Sequence, residues 1–508
     1  MCDGPTWQQY TNHRTVVTLD GSVRLYLKVR LCQTPTCPGY HKAYRPEAEG
    51  RFALPQHEFG LDVIAQIGAW RYQHHRSVPE MHAALQARQL PISERTVTNL
   101  LDRYDELVAL SVLDVERLRR ITNAHGRVIL ALDGLQPDAG HEVLWMLRDC
   151  LSGEILLVRS LLSATEADLA ALLAEVRDTL EVPIAAVISD GQPSIRKAVA
   201  RVLSDVPHQL CHFHYLREAA KPLFEADRHA KKELKKRVRG IRPIERAVED
   251  RDDGAAEIVR GYAVAVRSAL ADDGHPPLDA PGVRLQERLT KIVESVQRVE
   301  GKGGGSAELA QMRQIIEHAL AQTAEVWNPI RRAYRWVRAA AHVLANHEGQ
   351  ERAAVKEAFV RVLRSIGVTK RHCGPLEDAL THFLKVTRSY RAGLFHCYDD
   401  RAIPRTNNDL EQCFGQHRYH ERRATGCKRG ARHAVLHGPV RLVAGVATRL
   451  RRFTPADLVP RESVRWQQLR QTVRRRFALR AQGRQFRRNP DAYLKQLEED
   501  CFKLALPT

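Results

Sequence analysis

Hydrophobic and polar positions alternate over the first fifty residues. VVTLDGSVRLYLKVRLC, residues 16–32, reads as two strands around Asp20-Gly21, a dipeptide that closes tight hairpins. From Phe59 the period lengthens. FGLDVIAQIGAWRYQH places apolar residues at i, i+3 and i+4, which predicts a helix. SVPEMHAALQARQLPISERTVTNLLDRYDEL then reads as helix, short turn, helix. Pro79 suits a first helical turn, Gln89-Leu90-Pro91 breaks that helix, and Ser93 caps the next. This is a helix-turn-helix layout, and the second helix would read the major groove with Arg95, Thr96, Thr98, Asn99 and Arg103.

Residues 126–214 change character again. GRVILAL is an apolar strand that ends at Asp133, and EVLWMLRD and GEILLVRSL are two further strands joined at Ser152-Gly153. ATEADLAALLAEVRDTL is an amphipathic helix with Thr165 at its cap. VPIAAVIS is a fourth strand ending at Asp190, QPSIRKAVARVL a helix and PHQLCHF a short fifth strand. The order βββαβαβ predicts an α/β core of the ribonuclease H-like kind, a three-strand meander followed by crossover units. Residues 220–400 carry almost no strand pattern and read as an all-helical insertion. The expected organisation is a β-hairpin region at 1–50, helix-turn-helix at 51–120 and the first part of the core at 121–220. The helical insertion follows at 221–400, the end of the core at 401–450 and a basic helical tail at 451–508.

Composition narrows the function. Of 508 residues 44% are hydrophobic, so the chain can bury a core, and no apolar run approaches the ~20 residues that span a bilayer. The opening MCDGPTWQQYTNHR has no apolar stretch, so export is not expected. Ten cysteines in this length suggest no disulfide framework. The expectation is a cytoplasmic protein with no membrane partner. Lys and Arg number 79 against 60 Asp and Glu, a net charge of +19. Between Gly415 and Pro490 there are 20 Lys/Arg and three acids, Glu421, Asp457 and Glu462, so +17 of the +19 lies there. A segregated basic stretch points to a polyanion, most often nucleic acid. Arg474, Arg475 and Arg476 in the tail are candidate phosphate contacts.

Three carboxylates carry the candidate chemistry. Asp133 and Asp190 each end a buried strand and each precede glycine, in ALDGLQ and ISDGQP, where open α/β sheets place their sites. Two close carboxylates repel unless a cation lies between them, and their hard oxygens suit Mg²⁺ or Mn²⁺. The third is Glu411 in RTNNDLEQCFGQHRYHERR, near the start of a helix entered through Thr406, Asn407 and Asn408. Arg418, Arg422, Arg423, Lys428 and Arg429 follow it, as a phosphodiester substrate would require. Separately, Cys32, Cys37 and His41 could hold a structural Zn²⁺, with Cys2 as fourth ligand, although no upstream Cys-x-x-Cys is present.

These motifs together resemble a bacterial insertion-sequence DDE transposase of the Mutator-like superfamily. The resemblance is carried by the DG at Asp133, the SDG at Asp190, CHFH at 211–214, and TNNDLEQ at 406–412 with ERRATGCKR after it. The cysteine-bearing hairpin and the helix-turn-helix are similar to the end-binding region of such enzymes. The resemblance implies strand cleavage by water and then attack of the freed 3′-OH on target DNA, both phosphoryl transfers on one metal pair held by Asp133, Asp190 and Glu411. It implies transposon-end and target DNA as partners and a homo-oligomer on the ends. The Cys211 and His214 signature comes with no firm role. The alternatives are another ribonuclease H-like nuclease, or a domesticated DNA-binding protein that kept the fold.

Overall fold

The computed structural model describes residues 4–136, 142–426 and 437–505. The fold is mixed α/β and mostly helical, with one three-stranded sheet and one five-stranded mixed sheet. The chain forms two compact units. The first comprises residues 1–185, 197–205 and 408–508, and the second residues 186–196 and 206–407.

The first unit opens on the expected hairpin, longer than its alternation suggested. Strands β1 (Thr6–Thr18) and β2 (Gly21–Cys32) pair antiparallel with Thr18 opposite Gly21. Gly21 has φ +123°, the left-handed backbone such a turn needs. Leu27, Val29 and Leu31 are buried while Arg24, Tyr26, Lys28 and Arg30 are exposed, as a period of two requires. Strand β3 (Ala43–Tyr44) completes the sheet in the order β1-β2-β3.

Helices α1 (Leu61–Tyr72), α2 (Val78–Gln86) and α3 (Glu94–Val112) follow. Ser77 and Glu80 form a capping box at α2, and the Ser93 hydroxyl accepts the Thr96 N–H at α3. α3 runs on to Val112, and residues 104–109 are buried. Helix α4 (Val115–His125) leads into strands β4 (Val128–Leu135), β5 (Val143–Asp149) and β6 (Ile155–Leu161), then helix α5 (Glu166–Thr179), capped by Thr165. β4–β5 and β5–β6 are antiparallel. Strand β7 (Ile184–Ser189), helix α6 (Pro193–Val202) and strand β8 (His208–Leu210) finish the predicted βββαβαβ order, with β7 and β8 parallel and the strand order β6-β5-β4-β7-β8.

The second unit is helical beyond its strand segments. It holds α7 (His212–Ala219), α8 (Lys221–Arg237), α9 (Ile241–Ala247), α10 (Gly254–Ala271) and α11 (Pro281–Glu300). It continues with α12 (Ala307–Gln322), α13 (Ala324–Ala345), α14 (Arg352–Thr369) and α15 (Glu377–Tyr390). One core joins them, with Trp327, Tyr334, Phe359 and Phe383 among its fully buried side chains. This body takes in residues 186–196 and 206–407.

The chain then returns to the first unit as α16 (Asn408–Thr425), α17 (Pro439–Leu450), α18 (Ser463–Arg488) and α19 (Pro490–Ala505). α17 is buried from Val440 to Thr448 and packs against α3 and β6. No helix among the described residues is long and apolar enough to cross a membrane.

Candidate active site and nucleic-acid interface

Asp133 does not end its strand as expected: β4 continues through Gly134 and Leu135, which pair with Trp145 and Leu144 of β5, and Asp133 stands opposite Met146, half-buried, its Oδ1 accepting the Gly134 N–H at 2.8 Å. Ala131, two residues earlier, shares its sheet face and stands opposite Arg148. The Arg148 guanidinium reaches Cys413 Sγ of α16 at 3.8 Å, and α16 packs against β4. The helix that carries Glu411 therefore lies on the face of the sheet that carries Asp133.

Glu411 is in the first turn of α16, where the helix N-terminus favours a carboxylate, and it is half-buried. The helix buries Leu410, Phe414, His417, Glu421 and Ala424 as one stripe. Glu411 lies on its flank. At 100° per residue, Arg418 and Arg422 project within about 20° of Glu411. Both are exposed, as is Arg423 on the next flank. Gly415, between Glu411 and Arg418 in the sequence, has nothing within 4 Å of where a Cβ would stand. Lys428 and Arg429 lie outside the described residues.

A second glutamate of α16 has a different environment. Glu421 is fully buried and takes the Arg441 Nε–H at 2.9 Å, and Arg441 also approaches Asp105 of α3 at 3.4 Å. Burial pushes the Glu421 carboxyl up, but Arg441, His417 and Arg71 together hold it well below the usual range. Asp105 accepts the Tyr72 hydroxyl and is pushed up to about 7 by burial, which Arg441 only partly offsets. Arg71 donates to the Ala424 carbonyl at 3.1 Å, and the Nδ1 atoms of His75 and His420 lie 2.8 Å apart. The polar string HRYHERR is thus half surface and half core. Spacing could have revealed it, since His417 and Glu421 extend the stripe of Leu410 and Phe414.

Asp190 belongs to the second unit, directly after β7. Its Oδ1 accepts the Gln192 N–H at 2.9 Å, and its backbone carbonyl accepts the Tyr390 hydroxyl at 3.2 Å. Gly191 has φ +84°, and a Cβ there would stand 2.7 Å from the Tyr390 ring. Arg196 donates to the Gly191 carbonyl at 2.7 Å and stacks 4.1 Å over the same ring. Neither Tyr390 nor Arg196 was a sequence candidate. Tyr390 lies 200 residues from Asp190, and no local pattern marks it.

Cys211 follows β8, is fully buried, and donates its N–H to the Ser189 carbonyl at 2.8 Å. Its Sγ accepts the Asn407 N–H at 3.3 Å, which ties Cys211 to the residue just before α16. His212 is kept neutral by burial, pushed down to about 4, and its Nε2 pairs with the Leu394 carbonyl at 2.7 Å. His214 is half-buried on α7.

Among the described residues no three His, Cys, Asp or Glu side chains form a group that could hold a metal ion. Cys32 is buried, Cys37 Sγ accepts the Gly39 N–H at 3.3 Å, His41 has φ 56°, and Cys2 lies outside the described residues. Asp133 and Glu411 belong to the first unit and Asp190 to the second. The three carboxylates suit a hard cation in donor type.

Several expected DNA contacts are exposed and several are engaged internally. Arg95, Thr98 and Asn99 of α3 are exposed. Thr96 turns back to Ser93, hydroxyl to hydroxyl at 3.0 Å, and Arg103 is paired with Glu106 at 2.9 Å. Arg474 and Arg475 are exposed on α18, whereas Arg476 is paired with Glu142. No protein-family model and no curated protein matches this chain.

Proposed function

We propose that the chain is a DNA transposase with a ribonuclease H-like core, acting on the ends of an insertion element and on target DNA. The observation that carries this reading is the placement of α16. Its first turn brings Glu411 to the sheet face of Asp133, and its exposed flank continues as Arg418 and Arg422. A carboxylate on the sheet face of Asp133, with cations in line behind it, suits a phosphodiester backbone laid along the helix. Arg418 and Arg422 bind and orient that backbone. Arg95, Thr98 and Asn99 face the bases of the element's ends. Gly191, Tyr390 and Arg196 fix the turn that presents Asp190. Asp133, Asp190 and Glu411 would hold Mg²⁺ or Mn²⁺, which supplies charge stabilisation at phosphorus.

The test is Asp190→Asn. The variant should lose strand cleavage in Mg²⁺ and keep its affinity for end DNA, measured by fluorescence anisotropy on the same preparation. Full cleavage by the variant would overturn the reading.

A further inference from the structure

Strand β6 is the outer strand of the five-stranded sheet, so only one of its sides is paired. Leu157, Arg159 and Leu161 stand opposite Leu147, Trp145 and Val143 of β5, and the Asp149 N–H bonds the Glu154 carbonyl where the two strands join. Bonding alternates along an antiparallel pair, so Val158 and Ser160 turn their N–H and C=O groups away from β5. Among the described residues the Val158 carbonyl accepts an Arg159 guanidinium N–H at 3.2 Å, and nothing else bonds these outward groups. Val158 is 1% exposed, and the Ser160 hydroxyl oxygen is buried with no hydrogen-bond partner. Buried backbone groups are nearly always paired, and an orphaned one costs about as much as a lost hydrogen bond. The edge opens on a cavity of about 500 Å³, and residues 156–160 all line it. Successive side chains of a strand point to opposite faces, so a run of consecutive lining residues means that the cavity meets the strand along its edge. The other walls include Val443 of α17 and Leu469 and Val473 of α18. Of the arginines that line the cavity, Arg159 is paired with Glu175 and Arg476 with Glu142. Arg465 is exposed and has no acidic partner among the described residues.

We propose that the edge of β6 is a docking site for an extended peptide of a partner protein, which adds a sixth strand to the sheet. The peptide carries apolar residues along its length and an acidic residue at one end. A helix satisfies its backbone groups internally, and a small apolar ligand has none to offer, so neither meets the outward groups of Val158 and Ser160. An extended chain does, because its own N–H and C=O groups alternate in the same way. Residues 156–160 present about 13 Å of edge, enough for about five residues of the partner. Its apolar side chains pack against Val443, Leu469 and Val473, and its carboxylate meets the open Arg465 guanidinium. The site uses none of the three carboxylates, so it stands or falls apart from the cleavage reading.

The test uses the full chain and the fluorescein-labelled heptapeptide EVTVTVE, with binding followed by anisotropy. Two N-methylated isomers decide the mode. One is methylated at the amides of its second, fourth and sixth residues, the other at those of its third and fifth. Alternate amides of an added strand face the sheet, so one isomer should bind about tenfold more weakly than the unmethylated peptide and the other should bind like it. Ser160→Pro removes an outward N–H that β5 does not use and should weaken binding about fivefold. Thermal melts confirm that this variant is folded. Replacing both glutamates of the peptide by glutamine should cost about threefold with the parent protein and nothing with Arg465→Gln. No saturable binding of the unmethylated peptide overturns the proposal. So does equal binding by the two methylated isomers, which means apolar contact without strand pairing, or an unchanged affinity in folded Ser160→Pro.

Discussion

Glu411 and Glu421 sit ten residues apart on one helix and face opposite conditions. At the first turn of α16 the carboxylate is half-buried, and exposed arginines continue its flank. Near the last turn the carboxylate is sealed in, and a single guanidinium from α17 bonds it to the core. Residue type is the same, so the difference comes from angle around the helix axis. A site on the flank can receive a ligand, and a site on the stripe can only hold the helix where it is. One half of α16 is free to act because the other half is fixed against α1, α3 and α17.

The strongest challenge to that contrast is to exchange the consequences of the two positions. Glu411→Gln should abolish cleavage and leave stability within about 0.5 kcal/mol, as for a substitution outside the core. Arg441→Met should do the reverse at the level of folding. It strands Glu421 and Asp105 in the interior and should cost about 3–5 kcal/mol in urea unfolding. Glu421→Leu combined with Arg441→Met should recover most of the loss, since apolar groups of similar volume can replace a buried pair. Equal destabilisation by Glu411→Gln and Arg441→Met would remove the distinction between the two halves.

Acid titration sharpens the contrast further. His417 is pushed down to about 4 by burial, so its contribution is complete above pH 6.5 and is lost as pH falls toward 4. Asp105, raised by burial from 3.8 to about 7, acts in the opposite sense. It favours the fold at low pH, and that contribution fades as pH rises through about 7. The two oppose each other between about pH 4 and 6.5. Relative to the parent, Asp105→Asn should lose stability more steeply on acidification, and His417→Leu should lose less or gain. Each slope change is bounded by about 1.4 kcal/mol per pH unit. Urea midpoints at pH 4.5, 5.5, 6.5 and 7.5 read it. Parallel curves for all three proteins would place both groups outside the titrating set.

The smallest effect concerns the tail. Arg474→Gln with Arg475→Gln should lower the salt slope of DNA binding by about 0.9 for each phosphate no longer neutralised, with little change in sequence preference. Arg476→Gln should leave the slope unchanged, because Glu142 already occupies its guanidinium. Equal slope changes from all three positions would mean that burial and pairing do not decide which arginines meet DNA.

What could be read from the sequence was local. Ser77, Ser93 and Thr165 announce their helices because a cap acts within one turn. Apolar runs ending at Asp133 and Asp190 announce strands for the same reason. What escaped depends on distant partners. The charge of Arg476 in a sequence does not say that Glu142, 334 residues away, pairs with it. The Cys211–Asn407 bond joins residues 196 apart, so neither motif alone discloses the other's function.

The Tyr390 hydroxyl on the Asp190 carbonyl has a bearing on how this protein could be shortened. The helical stretch at 221–400 looks removable, a passenger that a minimal version could shed. Yet its last long helix ends at the residue that bonds the Asp190 carbonyl and backs Gly191. A chain joined from 220 to 401 would keep every motif intact as text and still leave the second aspartate on an unsupported turn. The smallest useful version of this protein therefore includes α15, however compact the remainder is made.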